Sequence, residues 1–136
     1  MLDRIFGNTK VASRALDASW LRNDTISQNI ANVDTPGYKR KNVSFEEHLN
    51  EALDDSSFKG RMTDRRHIPI GGTDVDNIDI KVTTDKSTSL RLDGNNVDIE
   101  NEMSSMAKNT IFYNTLIERL NGQFKALRSA INEGRK

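Results

Sequence analysis

The sequence predicts a mainly α fold: two long terminal helices packed as an antiparallel coiled-coil-like pair, with a small insert of irregular and β structure between them. Three observations predict it. An apolar seam of Met103, Met106, Thr110, Tyr113, Ile117, Leu120, Phe124, Leu127 and Ile131 advances by alternating steps of three and four, with Thr110 as its polar member. Four heptads of that pattern belong to a helix that lies along another helix. Toward the other terminus, Ala12, Leu16, Trp20, Ile26 or Ser27, Ile30 and Val33 recur at helical spacing over residues 9–32. The stretch between is polar and rich in Gly, Asp and Ser. The chain therefore divides into an N-terminal helix and turn (1–38), a middle insert (39–97) and a C-terminal heptad helix (98–136).

The first helix would be about 35 Å long at 1.5 Å per residue. Ser19, Asn23 and Asp24 dilute its stripe. Trp20, the single tryptophan, is expected in the core against the C-terminal helix, in preference to a purely intersubunit role. The helix should stop at Val33–Tyr38. Pro36 pushes Thr35 out of the helical region, and Pro36-Gly37 suits the central positions of a type II turn, glycine supplying φ > 0. Lys39-Arg40-Lys41 reads as a solvated basic patch. Ser44-Phe45-Glu46-Glu47 reads as a capping box opening a short helix to about Leu53. His48 on that helix, beside Glu47 and Glu51, reads as a surface residue.

Residues 54–77 read as a mobile loop. They carry a second basic cluster, Arg61, Arg65, Arg66 and His67, diluted by Asp64. Ile78, Ile80 and Val82 alternate with Asp79, Lys81 and Thr83 as in a half-buried strand, and Leu90 with Leu92 suggests a shorter one. Asp93-Gly94-Asn95-Asn96 is a turn. Asp98 caps the last helix, Glu100 and Glu102 suit its positive end, and Lys125, Arg128 and Arg135 its negative end. Gly122 in its interior costs on the order of 1 kcal/mol against alanine, and Gly134 marks the exit.

With 136 residues, 35% hydrophobic and 29% charged, a single compact core is thin. Net charge is zero, so no bulk field draws the chain to nucleic acid or membrane. The absence of cysteine excludes disulfides, thiolate catalysis and cysteine-based metal sites. No apolar run has the form of a cleaved signal peptide or the length of a membrane span. There is no phosphate loop, no H-x-x-x-H pair and no nucleophile elbow. The expectation is no catalytic residue, no metal and no cofactor.

What remains is an imbalance. Ile111 and Phe112 lie off the heptad seam and Leu116 sits at its edge, so for two turns the helix is apolar nearly all round. Two helices pair along one seam only, so other subunits should cover the rest. The expected assembly interface is Leu16, Trp20, Ile26, Ile30, Met103, Met106, Ile111, Phe112, Tyr113, Leu116, Ile117, Leu120, Phe124, Leu127 and Ile131.

Two stretches carry a resemblance. Residues 27–40, with Ala31-Asn32 and Thr35-Pro36-Gly37-Tyr38 at their centre, resemble the N-terminal signature of the flagellar rod, hook and hook-associated axial proteins. Residues 92–103, running on into Ala107-Lys108-Asn109 and Tyr113, are similar to the proximal-rod branch of that family more than to its FlgC-like sibling, as are Thr63-Asp64 and Arg66-His67-Ile68. The resemblance implies a non-enzymatic subunit of the basal-body rod in the periplasm, exported unfolded or partly folded by the flagellar type III apparatus without a cleaved signal. The implied partners are copies of itself, FlgC-like rod subunits and a FliE-like adapter, with no nucleic acid and no membrane insertion. Ala31, Asn32, Thr35, Pro36, Gly37 and Tyr38 would form the turn that leaves the inner tube. The alternatives are another rod protein such as FlgC, or a small cytoplasmic coiled-coil adapter, which should behave as a simple dimer. Nucleic-acid binding through the two basic clusters is a third reading, removed by a lack of binding at low salt.

Overall fold

The computed structural model describes residues 2–53, 80–86 and 91–133. Five elements follow in order: α1 (Leu2–Ala31), β1 (Lys41–Ser44), α2 (Glu46–Leu53), β2 (Lys81–Thr84) and α3 (Ile99–Glu133). The chain is mainly helical. α1 and α3 pack against each other, and a two-stranded antiparallel sheet lies in the insert. α1 begins at Leu2 rather than near residue 9. The apolar stripe marks the part of a helix with a face to bury; the backbone ladder propagates beyond it.

The cross-helix hydrogen bonds fix the direction. Thr9 Oγ1 donates to Gln123 Oε1, Ser19 Oγ to Asn109 Oδ1, and Asn29 Nδ2 to Glu102 Oε2. Partners on α3 fall in number as those on α1 rise, so the helices run antiparallel.

The seam between them differs from the apolar seam of the sequence. On α3 the row Met106, Tyr113, Leu120, Leu127 is half-buried, as expected, but its companion row is Glu102, Asn109, Leu116, Gln123. Met103, Thr110, Phe124 and Ile131, on the other side of the shared row, are exposed, and Ile117 is half-buried. Opposite, α1 presents small and polar residues: Ala12, Ala15, Ala18, Ser19, Thr25 and Asn29 are all buried. Trp20 is 64% exposed, which overturns its assignment to the core. The alanines of α1 make room for one row of large side chains from α3, and Met103, Phe124 and Ile131, on the far side of that row, are turned outward.

The insert lies on one flank of this pair. β1 and β2 pair in the register Lys41↔Thr84, Asn42↔Thr83, Val43↔Val82 and Ser44↔Lys81. Ala15 and Ala18 of α1 form a small core with Phe45, against which Leu49, Ile80 and Leu116 pack. β1 replaces the end of the expected solvated patch: Lys39, Arg40 and Lys41 are half-buried. The Ser44 capping box is also corrected, because Ser44 is paired to Lys81 in the sheet and the buried Phe45 supplies the first acceptor of α2, to the Leu49 N–H. Val82 is 46% exposed, so the strand is less buried than its alternation suggested. Leu92 lies in an exposed turn, not a strand. The expected loop at 54–77 with its basic cluster, Ile78, Leu90 and Gly134 lie outside the described residues. Among the described residues no helix is long and apolar enough to cross a membrane.

Candidate assembly interface

The region around Pro36-Gly37 is held by two turns docked on each other. α1 ends at Ala31. The Tyr38 N–H donates to the Thr35 carbonyl, and Gly37 has φ 71°, as a type II turn requires. The facing turn has Gly94 at φ 82°. The Gly37 N–H donates to the Asp93 carbonyl at 2.9 Å, and a Cβ on Gly94 would sit 3.8 Å from the Gly37 Cα.

Asn95 locks these turns to the end of α1. Its side chain is fully buried. Nδ2 is shared among the carbonyls of Asn32, Val33 and Thr35 at 3.0, 2.9 and 2.9 Å, while Oδ1 accepts from the Val97 N–H at 2.8 Å. Helix C-termini leave carbonyls without partners, and here a side chain from 60 residues away supplies the donor.

One turn back along α1, the buried Asn29 reads the backbone of β1. Its Oδ1 accepts from the Lys41 N–H at 3.0 Å, and Nδ2 donates to the Lys41 carbonyl at 2.8 Å and to Glu102 Oε2 at 3.1 Å. Tyr38 Oη donates to the same Oδ1. Glu102, also fully buried, takes a short charge-assisted hydrogen bond from Arg40 Nε. The Arg40 N–H donates to Asn96 Oδ1, and Asn96 Nδ2 to the Asp85 carbonyl. Burial, with the Glu102 charge as the smaller cause, raises the Tyr38 phenol above its ordinary value of 10. No buried side-chain polar atom among the described residues lacks a partner. A network this complete fixes geometry, since each member left alone would cost on the order of 1–3 kcal/mol.

A second polar knot sits mid-seam. Asn109 Nδ2 donates to the Ser19 carbonyl and to Asn23 Oδ1, both at 2.8 Å, and its Oδ1 accepts from the Ser19 hydroxyl. A buried asparagine in a helix pair specifies register. α3 starts as expected: Asp98 Oδ1 accepts from the Glu100 N–H at 3.0 Å.

The apolar residues expected to meet neighbours are distributed as follows. Ile26 is buried. Leu16, Ile30, Met106, Tyr113, Leu116, Ile117, Leu120 and Leu127 are half-buried. Trp20, Met103, Ile111, Phe112, Phe124 and Ile131 are exposed. Of the signature turn, Ala31, Thr35, Pro36 and Gly37 are exposed, and Asn32 and Tyr38 half-buried. Sequence reasoning missed Asn29, Arg40, Asn95, Asn96, Glu102 and Asn109. The available signal was the unusual Asn95-Asn96 pair and the close spacing of alanines on the face of α1 away from Trp20. Among the described residues no group of three His, Cys, Asp or Glu side chains has the geometry to hold a metal ion.

Comparison with known proteins shows what the sequence is similar to. The family described as flagella basal body rod protein matches residues 10–39, which hold α1 from Lys10 onward and the Pro-Gly turn. The chain is 38% identical over 129 residues to the flagellar basal body rod protein FlgB of Bacillus subtilis (strain 168), covering 95% of this chain and 96% of that one. It is 30% identical over 139 residues to FlgB of Yersinia enterocolitica, covering 98% and 100%. To FlgB of Escherichia coli (strain K12) it is 28% identical over 143 residues, covering 98% and 99%.

Proposed function

Since the chain belongs to the FlgB family of flagellar basal body rod proteins and is a structural subunit of that rod, we propose that it joins its neighbours through the outward apolar side chains of α3 and through Trp20 of α1. The observation that carries this reading is the inversion of the helix pair. Small and polar residues make up much of the seam within the chain, while Met103, Ile111, Phe112, Phe124 and Ile131 are left exposed. Burying each such side chain against a neighbour yields roughly 1.5–3 kcal/mol, so several of them outweigh the entropy of ordering a subunit in a lattice. In this reading the chain is part of the proximal rod in the periplasm, between a FliE-like adapter and FlgC-like subunits. It arrives there through the flagellar type III apparatus without a cleaved signal. The clamp of Asn29, Asn95 and Glu102 sets the angle at which the Pro-Gly turn leaves the helix pair, and the role is mechanical rather than catalytic.

Replacing Met103 and Phe124 together by Asp tests this. The isolated chain should keep its helical content, because both side chains already face solvent, while cells carrying the variant should lack assembled rods and fail to swim. Normal rods from the doubly substituted chain would refute the proposal.

A further inference from the structure

The chain carries a knob and a socket on opposite flanks of the same helix pair. The knob is Trp20, 64% exposed, with exposed Asp17 and Asp24 one turn to either side of it. The socket is a cavity of about 530 Å³ on the insert flank, walled by β1 and α3, with Arg22, Lys41, Val43, Glu47, Lys108 and Phe112 in its lining. Phe112 is 43% exposed and Lys108 is exposed.

We propose that Trp20 of one copy seats in this cavity of the next copy, against Phe112, with Asp17 and Asp24 drawn to Lys108 and Lys41. The inference rests on the rod-subunit reading and names the faces that meet. Size agrees: a tryptophan side chain buries about 150–250 Å², and the cavity has room for an indole. Charge agrees as well. Arg22 is matched by Glu46 and Arg40 by Glu102, which leaves Lys108, and Lys41 with the neutral Gln28 Oε1 at 3.3 Å as its partner, against Glu47 in the lining. A cationic mouth suits both the flanking aspartates and the face of an indole. Topology is the third argument. Knob and socket are different surfaces, so the contact is head-to-tail, and such contacts close into rings or wind into helices rather than stopping at a dimer. An exposed tryptophan that its own helix pair turns away is the residue type found at the energetic centre of interfaces.

The test uses assembled basal bodies from cells whose only copy of the chain carries p-benzoylphenylalanine in place of Trp20, which keeps an aromatic knob. Irradiation should yield an adduct between two copies, with the crosslinked peptide containing Lys41–Glu47 or Lys108–Phe112. Incorporation of the chain with no adduct, or an adduct on any other surface or protein, overturns the pairing but leaves the rod reading intact. Absence of the unmodified chain from basal bodies overturns the rod reading itself. If the photoreactive chain is kept out of basal bodies, a charge swap decides. Asp17→Lys with Asp24→Lys, and separately Lys108→Asp, should each cut incorporation by about tenfold, while the chain carrying all three should recover most of it. Equal loss in the combined chain refutes the contact.

Discussion

Replacing Asn95 separates the clamp from ordinary packing, because alanine removes every bond of the side chain while the isosteric aspartate keeps its shape and acceptor and loses its donor. In Asn95→Ala the Val97 N–H, in a residue only 4% exposed, loses its acceptor, at a cost of about 1–3 kcal/mol. The three carbonyls at the end of α1 lose their shared donor. Thr35 is exposed and Asn32 and Val33 are half-buried, so water replaces part of that donation and this loss is smaller, about 1 kcal/mol. The sum is about 2–4 kcal/mol. In Asn95→Asp the Val97 acceptor is kept, but a carboxylate now faces three carbonyl oxygens in a buried position. Aspartate should therefore destabilise more than alanine at pH 7, and the order should narrow or reverse once the carboxyl is protonated in acid. Urea unfolding followed by helical circular dichroism measures both; Trp20 is too exposed to report faithfully. A wild-type midpoint for Asn95→Asp, or a loss below about 0.5 kcal/mol for Asn95→Ala, would show that the clamp does not hold the turn.

Four further outcomes follow from the same geometry. Gly37→Ala should cost about 1–2 kcal/mol, all of it backbone strain at φ 71°, since nothing lies within 4 Å of the added Cβ; urea midpoints check it. Asn109→Leu removes the acceptor of the buried Ser19 hydroxyl and should cost about 1–3 kcal/mol while loosening the antiparallel register, which crosslinking between cysteines placed at Thr9 and Gln123 reads directly. The Tyr38 phenol is held above 10 by burial first and Glu102 second. The unfolded chain therefore ionises before the folded one, and stability falls as pH rises above about 10; in Tyr38→Phe that part of the alkaline loss should vanish. Glu46 is held below 4.5 chiefly by its hydrogen bond from Arg22. Its contribution is present above the ordinary carboxylate range and fades as pH falls through the lowered value, so Glu46→Gln should flatten the acid limb of an unfolding curve.

The long helices and their pairing were readable because 3.5-residue periodicity is a local signal, and the Pro-Gly turn was readable because glycine at φ > 0 is nearly forced there. The rotation of α3 was not. A hydrophobic stripe shows which face avoids water, not which neighbour covers it. The row of Met106, Tyr113, Leu120 and Leu127 belongs to both the apolar seam and the observed one, so the apolar pattern alone placed the helix about one row from its true orientation. The missing information sat on α1, where Ala12, Ala15 and Ala18 admit only a close-packed partner. The clamp was illegible for a different reason. Asn29 meets Glu102 across 73 residues and Asn95 meets Asn32 across 63. No spacing rule connects such pairs, and a polar residue looks the same in sequence whether it faces water or fills a network.

The inversion of the pair has a physical logic for a subunit of a larger assembly. Apolar contacts are strong but undirected, so a seam of leucines between α1 and α3 would pair in several registers and with several copies. Asn109, Glu102 and Asn29 are satisfied in one alignment and orphaned in any other, so a slip by one turn strands several buried polar groups at on the order of 1–3 kcal/mol each. The polar seam therefore selects the correct fold of the single chain. In the proposed contacts, the apolar area it displaces to the outside is what drives association with neighbours. Forcing the bulky residues into the alanine-lined seam would overpack it and, if the proposed contacts hold, would remove the surface that joins the subunit to its neighbours.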